Sequence, residues 1–137
     1  MTRTLLSPLR AGVLDLAHRV VMAPLTRMRA ALPGNTPHAL NVEYYRQRAS
    51  KGGLLITEGS QISPMAQGLP ATPGIHSRAQ MEGWSMVSGA IHAEGGQAFL
   101  QQRIRLGARL NPYHRPTFYG GDGKGYIDYP RLDAANA

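Results

Sequence analysis

The chain has 137 residues, enough for one domain that buries roughly two-thirds of its unfolded surface. Its 16 glycines and 10 prolines exceed the usual content but stay below that of a disordered low-complexity chain. Because the sequence contains no cysteine, disulfide scaffolds, thiolate nucleophiles, iron–sulfur clusters and cysteine zinc sites are excluded.

The formal net charge is +7, and the basic residues are scattered from Arg3 to Arg131 without a dense run. Such scattering is typical of a solvated surface, so we expect no nucleic-acid partner. The apolar runs are far shorter than the roughly 20 residues of a membrane span, and the N-terminus lacks a signal-peptide pattern. We therefore expect a cytoplasmic protein that does not contact membranes.

The first predicted strand covers residues 19–23, a short β-branched run that ends at Pro24. After a long loop, Thr36 is expected to cap a helix with Pro37 at its first position, ending near Ser50. The side chains expected on its apolar side are Leu40, Tyr44, Tyr45 and Ala49.

The second predicted strand covers residues 54–58, and a second long loop extends over residues 60–75. Ser77 and Gln80 have the spacing of a capping box, which predicts a second helix that ends before the glycine pair 95–96. Its predicted apolar stripe consists of Met81, Trp84, Val87 and Ile91. Residues 97–101 form the third predicted strand.

Strands that recur every thirty to forty residues with a helix between them indicate parallel βαβ units. After residue 101 the helical period stops, and no fourth strand is predicted. The predicted fold class is therefore α/β: an incomplete (β/α)8 TIM-barrel fragment with about three parallel strands, two main helices and an irregular C-terminal tail. In such barrels the site lies at the carboxyl ends of the strands, here residues 23–36 and 58–76.

Three features of the sequence are candidate sites of catalysis, metal binding or phosphate binding. Glu58 ends a strand and suits a general base or metal ligand, but no partner acid or histidine accompanies it, which favours a structural ion pair. The five histidines show no paired spacing, so no metal site is predicted. The glycine-rich residues 120–125 lack the Walker spacing and a preceding strand, which favours a simple turn over a phosphate loop.

Gln101 ends the third predicted strand, where an amide offers both a donor and an acceptor to a heterocycle. It accompanies residues 22–27 (MAPLTR), 43–50 (EYYRQRAS), 57–63 (TEGSQIS) and 72–77 (TPGIHS). With these motifs in this order, the chain resembles the Old Yellow Enzyme family of FMN-dependent ene-reductases. Residues 1–101 resemble the N-terminal βα units of that barrel, residues 102–137 resemble its extreme C-terminus, and the middle is missing.

The resemblance implies FMN as cofactor, NAD(P)H as reductant and an activated alkene as the small-molecule electron acceptor. It also implies that Pro24 and Leu25 contact the flavin through their backbone and that Thr26 hydrogen-bonds an isoalloxazine carbonyl. Gly59 would let the backbone approach the ring, and Gln101 would bind its pyrimidine edge. Tyr119 would line the substrate side. No catalytic residue is assigned in this chain.

The resemblance places the residues that grip substrate, supply the proton and bind the FMN phosphate in the missing middle. Three parallel strands also leave an apolar sheet face and two edges open. We therefore expect self-association or a partner that completes the barrel. The alternative is a non-catalytic interaction fragment, or remnant, that docks on another barrel.

Overall fold

The fold was obtained as a computed structural model that describes residues 4–103. These residues belong to one compact unit of the chain, Met1–Ile104. The predicted tail 102–137 lies outside the described residues except for its first two positions, and Tyr119 lies outside them as well. The strands are β1 (Leu9–Ala11), β2 (Leu14–Leu16), β3 (Val21–Met22), β4 (Leu54–Ile56), β5 (Ser60–Gln61), β6 (Gln97–Phe99) and β7 (Gln102–Arg103), and the helices are α1 (Ala39–Arg46) and α2 (Arg78–Ala93).

The central sheet has the order β3–β4–β6, and both of its pairings are parallel. This confirms the prediction of parallel βα units, although each strand is shorter than predicted. Met22, Leu55 and Ala98 are in register across the sheet. Because paired residues of a parallel sheet share a face, these three side chains point to the same side, toward the two helices.

The hydrophobic core lies between the central sheet and the two helices. Its buried members are Tyr45, Leu55, Trp84, Val87 and Ile91. The rings of Tyr45 and Trp84 lie 6.0 Å apart between centroids, a favourable distance for a tilted aromatic pair. Burying one large apolar side chain of this kind stabilises the fold by about 1.5–3 kcal/mol, so this cluster is what holds α1 and α2 on the sheet.

The opposite face of the central sheet is more open to solvent. Val21 of β3 is 40% exposed and Phe99 of β6 is 52% exposed. Both residues belong to the register positions that alternate with the core-facing ones. The sheet of the described residues therefore has one buried face and one exposed apolar face.

Helix α1 begins later than predicted. Thr36 exchanges backbone hydrogen bonds with Ala31, which fixes it in an extended bridge and makes the prediction of a Thr36 cap wrong. The residue before the helix is instead His38, whose backbone N–H donates to Oδ1 of Asn41 at 3.0 Å. Pro37 consequently lies outside the helix.

The buried side of α1 agrees in part with the prediction, because Tyr45 is buried and Tyr44 and Ala49 pack against the core, whereas Leu40 does not. Asn41 and Tyr45, one helical turn apart, are its buried residues, whereas Leu40 is 62% exposed. The side that faces α2 and the sheet is thus set by the Asn41–Tyr45 spacing, and Leu40 lies about 100° away from it. The helix ends at Arg46, before the predicted end at Ser50.

Helix α2 agrees closely with its prediction. Oγ of Ser77 accepts from the Gln80 N–H at 3.3 Å, and Oε1 of Gln80 accepts from the Ser77 N–H at 3.0 Å, which confirms the capping box. Trp84, Val87 and Ile91 are buried as predicted. Met81 is 50% exposed, so its place in the core stripe was wrong.

An N-terminal hairpin that the sequence did not predict packs at the amino end of the central sheet. Strands β1 and β2 pair antiparallel around a turn in which Gly12 has a φ of +61°. The N–H of Ala17 donates to the carbonyl of Gly52 at 2.9 Å. The Gln97 side chain donates to the carbonyl of Asp15 at 3.4 Å. These contacts hold the hairpin against the starts of β4 and β6.

A second small sheet pairs β5 with β7 in parallel. The predicted long loop 60–75 therefore begins with a strand, and the expectation of no strand after residue 101 was wrong. Strands of two residues are too short to give an alternating hydrophobic pattern, which explains both misses. Within residues 4–103, neither helix is long and apolar enough to cross a membrane.

Candidate functional site

The carboxyl ends of β3, β4 and β6 meet at one edge of the central sheet because the three strands are parallel. We call this the strand-end edge; it is made by residues 23–28, 57–61 and 100–103. Five of the six residues that the sequence predicted for a ligand site belong to it: Pro24, Leu25, Thr26, Gly59 and Gln101. The sixth, Tyr119, lies outside the described residues.

Gly59 and Gln101 are held next to each other by backbone hydrogen bonds between the segments after β4 and β6. The Gln101 N–H donates to Oγ1 of Thr57 at 3.2 Å, and its carbonyl accepts from the Ser60 N–H at 2.8 Å. A Cβ atom added at Gly59 would lie 3.5 Å from Oε1 of Gln101. A side chain at position 59 would thus occupy the space beside this amide.

Glu58 connects the segment after β4 to the segment after β3. Its Oε2 accepts from the backbone N–H of Arg27, the residue after Thr26, at 2.9 Å. The backbone N–H of Glu58 itself donates to the hydroxyl of Tyr45 at 2.8 Å. Thr26 is therefore held near Glu58 by its neighbour in the chain, which places it on the same edge as Gly59.

The structural ion pair predicted for Glu58 is not found within residues 4–103. Among residues 4–103, no basic side chain lies within 4.0 Å of its carboxylate, which bonds to backbone instead. Glu58 is fully buried, and its Oε1 has no hydrogen-bond partner in this part of the chain. Burial raises the pKa of Glu58, and the hydrogen bond from Arg27 only partly offsets that effect.

The strand-end edge offers free polar groups. In the described part of the chain, neither the Thr26 hydroxyl nor the Gln101 amide makes a side-chain hydrogen bond, and Pro24 and Leu25 are exposed. A free hydroxyl, a free amide and the open space beside Gly59 fit the flat edge of a heterocycle that carries both carbonyl and N–H groups. No group of three metal-ligating side chains is found among residues 4–103.

The two long loops beside this edge are fixed by the buried amides of Gln61 and Gln80, a role that the sequence analysis did not predict. Gln61 donates to the carbonyl of Thr72 at 3.1 Å and accepts from its hydroxyl at 2.9 Å. Gln80 donates to the carbonyl of Gly34 at 2.8 Å, which links α2 to the loop after β3. Buried amides with all of these bonds satisfied make the loops a rigid support.

Arg103 also belongs to this edge, and the sequence analysis did not predict it as a site residue. A Cβ atom added at Gly59 would lie 3.4 Å from its Nε. One signal for it was available, because Arg103 lies two positions after Gln101 in an extended segment, and such residues point to the same side. This spacing was not recognised because arginines are scattered along the whole chain and were interpreted as a solvated surface.

A separate cavity of about 330 Å³ lies between α2 and β6. Its walls include Trp84, Val87 and Leu100, and none of the residues that line it carries a titratable side chain. Its lining consists of apolar and small hydroxyl side chains on the helix-covered side of the sheet, so it offers no chemistry beyond apolar contact.

Known proteins that are similar to this chain are flavin oxidoreductases and oxophytodienoate reductases. Residues 4–119 match the model of the NADH:flavin oxidoreductase / NADH oxidase family. The chain is 52% identical over 97 residues to 12-oxophytodienoate reductase 1 of Oryza sativa, covering 71% of this chain and 25% of that protein. It is 50% identical over 120 residues to the flavin oxidoreductase hxnT of Emericella nidulans, covering 85% and 30%.

A solved structure, that of morphinone reductase in complex with tetrahydroNAD, superposes with a TM-score of 0.69 at 48% sequence identity. The superposition covers 74% of this chain and 27% of that TIM-barrel protein. The chain thus spans between a quarter and a third of the length of the relatives it matches. On the family match over most of its length, the chain belongs to the NADH:flavin oxidoreductase / NADH oxidase family, the Old Yellow Enzyme family of FMN-dependent oxidoreductases.

Proposed function

We propose that this chain supplies the isoalloxazine-binding part of an FMN site in an NAD(P)H-dependent ene-reductase. The observation that carries the proposal is the strand-end edge itself, where a free hydroxyl, a free amide and a glycine-made space lie together. Family membership supports FMN as the group that this edge binds. The finer assignment of residues rests on the resemblance of the sequence motifs to that family, and the geometry of the strand-end edge supports it for the five described residues.

Each residue of the edge has a distinct role in this proposal. Pro24 and Leu25 contact the flavin ring through their backbone, and the hydroxyl of Thr26 donates to a ring carbonyl. Gly59 keeps the space open for the ring, because a Cβ atom there would extend into the space beside Gln101. The amide of Gln101 pairs with the pyrimidine edge. The role of Tyr119 on the substrate side rests on the family resemblance alone, since Tyr119 is outside the described residues.

Bound FMN supplies hydride transfer between NAD(P)H and an activated alkene, chemistry that no side chain of the strand-end edge performs alone. The contribution of the chain is to bind and orient the ring. The bond from the Arg27 N–H to Glu58 fixes the segment that carries Thr26, and the bond from the Gln101 backbone N–H to Oγ1 of Thr57 fixes the backbone that carries the Gln101 side chain. Both segments are thereby positioned before a ligand arrives, which lowers the entropic cost of binding.

The chain spans a quarter to a third of its relatives, and we propose that activity requires the rest of the barrel. We expect the chain alone to bind FMN weakly or not at all, because anion binding at the phosphate contributes much of the affinity for a nucleotide. The second candidate function is a non-catalytic fragment that docks on another barrel. The exposed apolar sheet face, with Val21 and Phe99, favours it.

The test combines the full chain with a separate polypeptide that contains the remaining three quarters of rice 12-oxophytodienoate reductase 1. We expect a yellow complex that oxidises NAD(P)H. In that complex, Gln101→Ala should weaken FMN binding about tenfold, as expected for the loss of hydrogen bonds to a ring edge. Thr26→Ala should mainly slow flavin reduction.

Gln97→Ala is the matched control, since Gln97 is at the opposite end of β6 and bonds to the hairpin. It should leave FMN affinity within twofold of the unchanged chain. A complex that forms but contains no flavin would support the docking function instead. An active complex in which neither Gln101→Ala nor Thr26→Ala has an effect would refute the residue assignment.

A further inference from the structure

The segment after β3 makes a strained turn at Met28. The φ of this residue is +55°, in the left-handed region that residues with a Cβ atom seldom adopt. Such a backbone persists only where its surroundings fix it, and strained turns of this kind are found at ligand sites. Met28 lies two positions after Thr26, whose hydroxyl is proposed to bind the flavin ring. Whatever holds the turn therefore also determines where Thr26 lies.

A side chain from another segment is placed to hold this turn. Oε2 of Glu58 accepts from the Arg27 N–H, directly beside Met28, at 2.9 Å. The backbone N–H groups of both Arg27 and Met28 lower the pKa of Glu58, so both lie close enough to stabilise its ionised form. Successive backbone N–H groups that face one anion form a concave anion site. The carboxylate and the turn thus stabilise each other.

Helix α1 fixes both partners of this hydrogen bond. Glu58 is fully buried, and its backbone N–H donates to the hydroxyl of Tyr45 at 2.8 Å. The guanidinium of Arg27 lies over the ring of Tyr44, with its central carbon 5.0 Å from the ring centroid, a favourable cation–π distance. The carboxylate and the chain that it holds are therefore attached to neighbouring residues of one helix.

The protonation state of Glu58 depends on opposing effects. Burial has the largest effect and raises its pKa, whereas the two N–H groups and the charges of Arg27 and Arg103 lower it. Burial also raises the pKa of Tyr45, so the hydroxyl that α1 places beside Glu58 stays protonated. Glu58 therefore loses its proton above pH 4.5, its ordinary pKa, while its neighbours keep their charge states.

We propose that Glu58 is a positioning residue: its ionised carboxylate holds the left-handed turn at Met28 and thereby orients Thr26 toward the flavin ring. An uncharged side chain at position 58 fills the same space but binds the N–H groups more weakly, because hydrogen bonds to a charged acceptor are about twice as strong as neutral ones. The turn then relaxes, and Thr26 loses its alignment. The proposal rests on the proposed function for the role of Thr26, whereas the link between Glu58 and the turn stands without it.

The first experiment uses the full chain without flavin. The amide resonances of Arg27 and Met28 in the ¹⁵N-labelled chain are followed from about pH 3 to 8, with Val87 in α2 as the internal control. We expect both amides to shift with one midpoint above pH 4.5. In Glu58→Gln the shifts should fall below about a tenth of this size, since glutamine does not titrate. Separate midpoints, or equal shifts in Glu58→Gln, would overturn the proposal whether or not the chain binds FMN.

The second experiment tests whether Glu58 acts through Thr26, in the complex with the remaining part of rice 12-oxophytodienoate reductase 1. Glu58→Gln should slow flavin reduction about five- to tenfold, as expected when one hydrogen bond is weakened. It should leave FMN affinity within about twofold, because the other ring contacts remain. The double variant Thr26→Ala/Glu58→Gln should be no slower than Thr26→Ala alone, since residues that act as a unit are not additive. Multiplied losses would overturn the action through Thr26.

Met28→Gly tests the strained turn. Glycine adopts a left-handed φ without a Cβ penalty, so adding Met28→Gly to Glu58→Gln should restore at least about half of the lost rate. Arg29→Gly is the matched control, because Arg29 is the next residue of the loop and does not have a positive φ. It should restore nothing. Equal rescue by both glycines, or by neither, would refute the role of the turn.

The two experiments separate this proposal from the proposed function. If Thr26→Ala itself has no effect on flavin reduction, the proposed role of Thr26 fails. The pH titration of the flavin-free chain then shows independently whether Glu58 holds the turn.

Discussion

At the scale of single residues, the strand-end edge depends on a short series of buried hydrogen bonds. The Tyr45 hydroxyl accepts from the Glu58 N–H, and the Glu58 carboxylate accepts from the Arg27 N–H. Tyr45 belongs to the core, whereas Arg27 belongs to the predicted ring-binding segment. Packing in the core is thus connected to the position of Thr26 through Glu58.

Tyr45→Phe tests the first of these bonds. The substitution keeps the ring in the core but leaves the buried N–H of Glu58 without an acceptor, which should lower the free energy of unfolding by about 1–3 kcal/mol. Urea unfolding followed by circular dichroism measures the change. Tyr44→Phe is the control, because the Tyr44 hydroxyl makes no hydrogen bond among residues 4–103, and it should stay within about 0.5 kcal/mol. Equal losses in both variants would contradict the role of the Tyr45 hydroxyl.

Glu58→Gln tests the buried carboxyl through the pH dependence of stability. Burial raises the pKa of Glu58 above its ordinary value of 4.5, so the folded state keeps a proton that the unfolded state has lost. The free energy of unfolding of the unchanged chain should therefore fall as the pH rises from 4.5 through the raised pKa. Glutamine has no such proton, so Glu58→Gln should gain stability relative to the unchanged chain across that window.

Glu43→Gln provides a control of opposite sign. Hydrogen bonds from Arg46 and Gln47 lower the pKa of Glu43, so its stabilising contribution is present above pH 4.5 and is lost as the pH falls through the lowered pKa. Urea unfolding midpoints of the three chains, measured across about pH 3 to 8, separate the two effects. A stability difference for Glu58→Gln that does not vary with pH would show that the carboxyl does not titrate as described.

The residues of the candidate site were predictable to the extent that their spacing carried the information. Gly59 and Gln101 follow parallel strands, and the structure indeed brings them together. The partner of Glu58 was not predictable, because its choice of a backbone N–H over a charged side chain depends on how the loop after β3 folds back. The contact of Arg103 with Gly68, which lies 35 positions away in the sequence, was likewise not predictable.

At the scale of elements, the contact between α1 and α2 depends on one glycine. A Cβ atom added at Gly83 would lie 2.5 Å from the carbonyl oxygen of Pro37, just before α1 begins. Gly89 lies in the same helix, and a Cβ atom there would meet nothing within 4 Å. Both glycines therefore lie in the same helix, but only Gly83 is packed too closely against another segment to accept a side chain.

Gly83→Ala and Gly89→Ala should consequently shift stability in opposite directions. Gly89→Ala should raise the free energy of unfolding by about 0.5–1 kcal/mol through helix propensity alone. Gly83→Ala gains the same propensity but forces the backbone of Pro37 away, and overpacking of this kind costs about 1–3 kcal/mol. Thermal unfolding of the two variants decides the point. Stabilisation by both substitutions would show that α1 moves aside freely.

Elements were predictable where local chemistry determines them. Helix α2 has its capping box at Ser77 and its apolar period in the sequence, and both are found in the structure. The start of helix α1 was not predictable in the same way, because Thr36, the expected cap, forms a backbone bridge with Ala31 instead. The strands β5 and β7 form by pairing between distant segments, with each other and, for β5, with Gly74, which local sequence does not encode.

At the scale of the whole molecule, the exposed face of the central sheet predicts self-association. Val21 and Phe99 lie on that face, and contiguous apolar surface on a sheet seldom stays exposed to solvent in monomers. We expect the chain to form oligomers at micromolar concentration. Phe99→Asp should raise the concentration needed for association about tenfold or more by placing charge on the face.

Sedimentation velocity at several concentrations measures this effect. Leu40→Asp is the control, since Leu40 is also exposed but lies on α1, away from the open sheet face. It should leave the association unchanged. A monodisperse monomer in the unchanged chain would contradict the prediction directly, and equal effects of both substitutions would show that the sheet face is not the contact.

The N-terminal hairpin determines which end of the central sheet is open to a solute. It is bonded to Gly52 and Gln97, at the starts of two of the parallel strands, and so covers the end opposite to the strand-end edge. Thr26 and Gln101 therefore lie at the end of the sheet that the hairpin leaves open, so a solute that binds there contacts the long loops and not the hairpin.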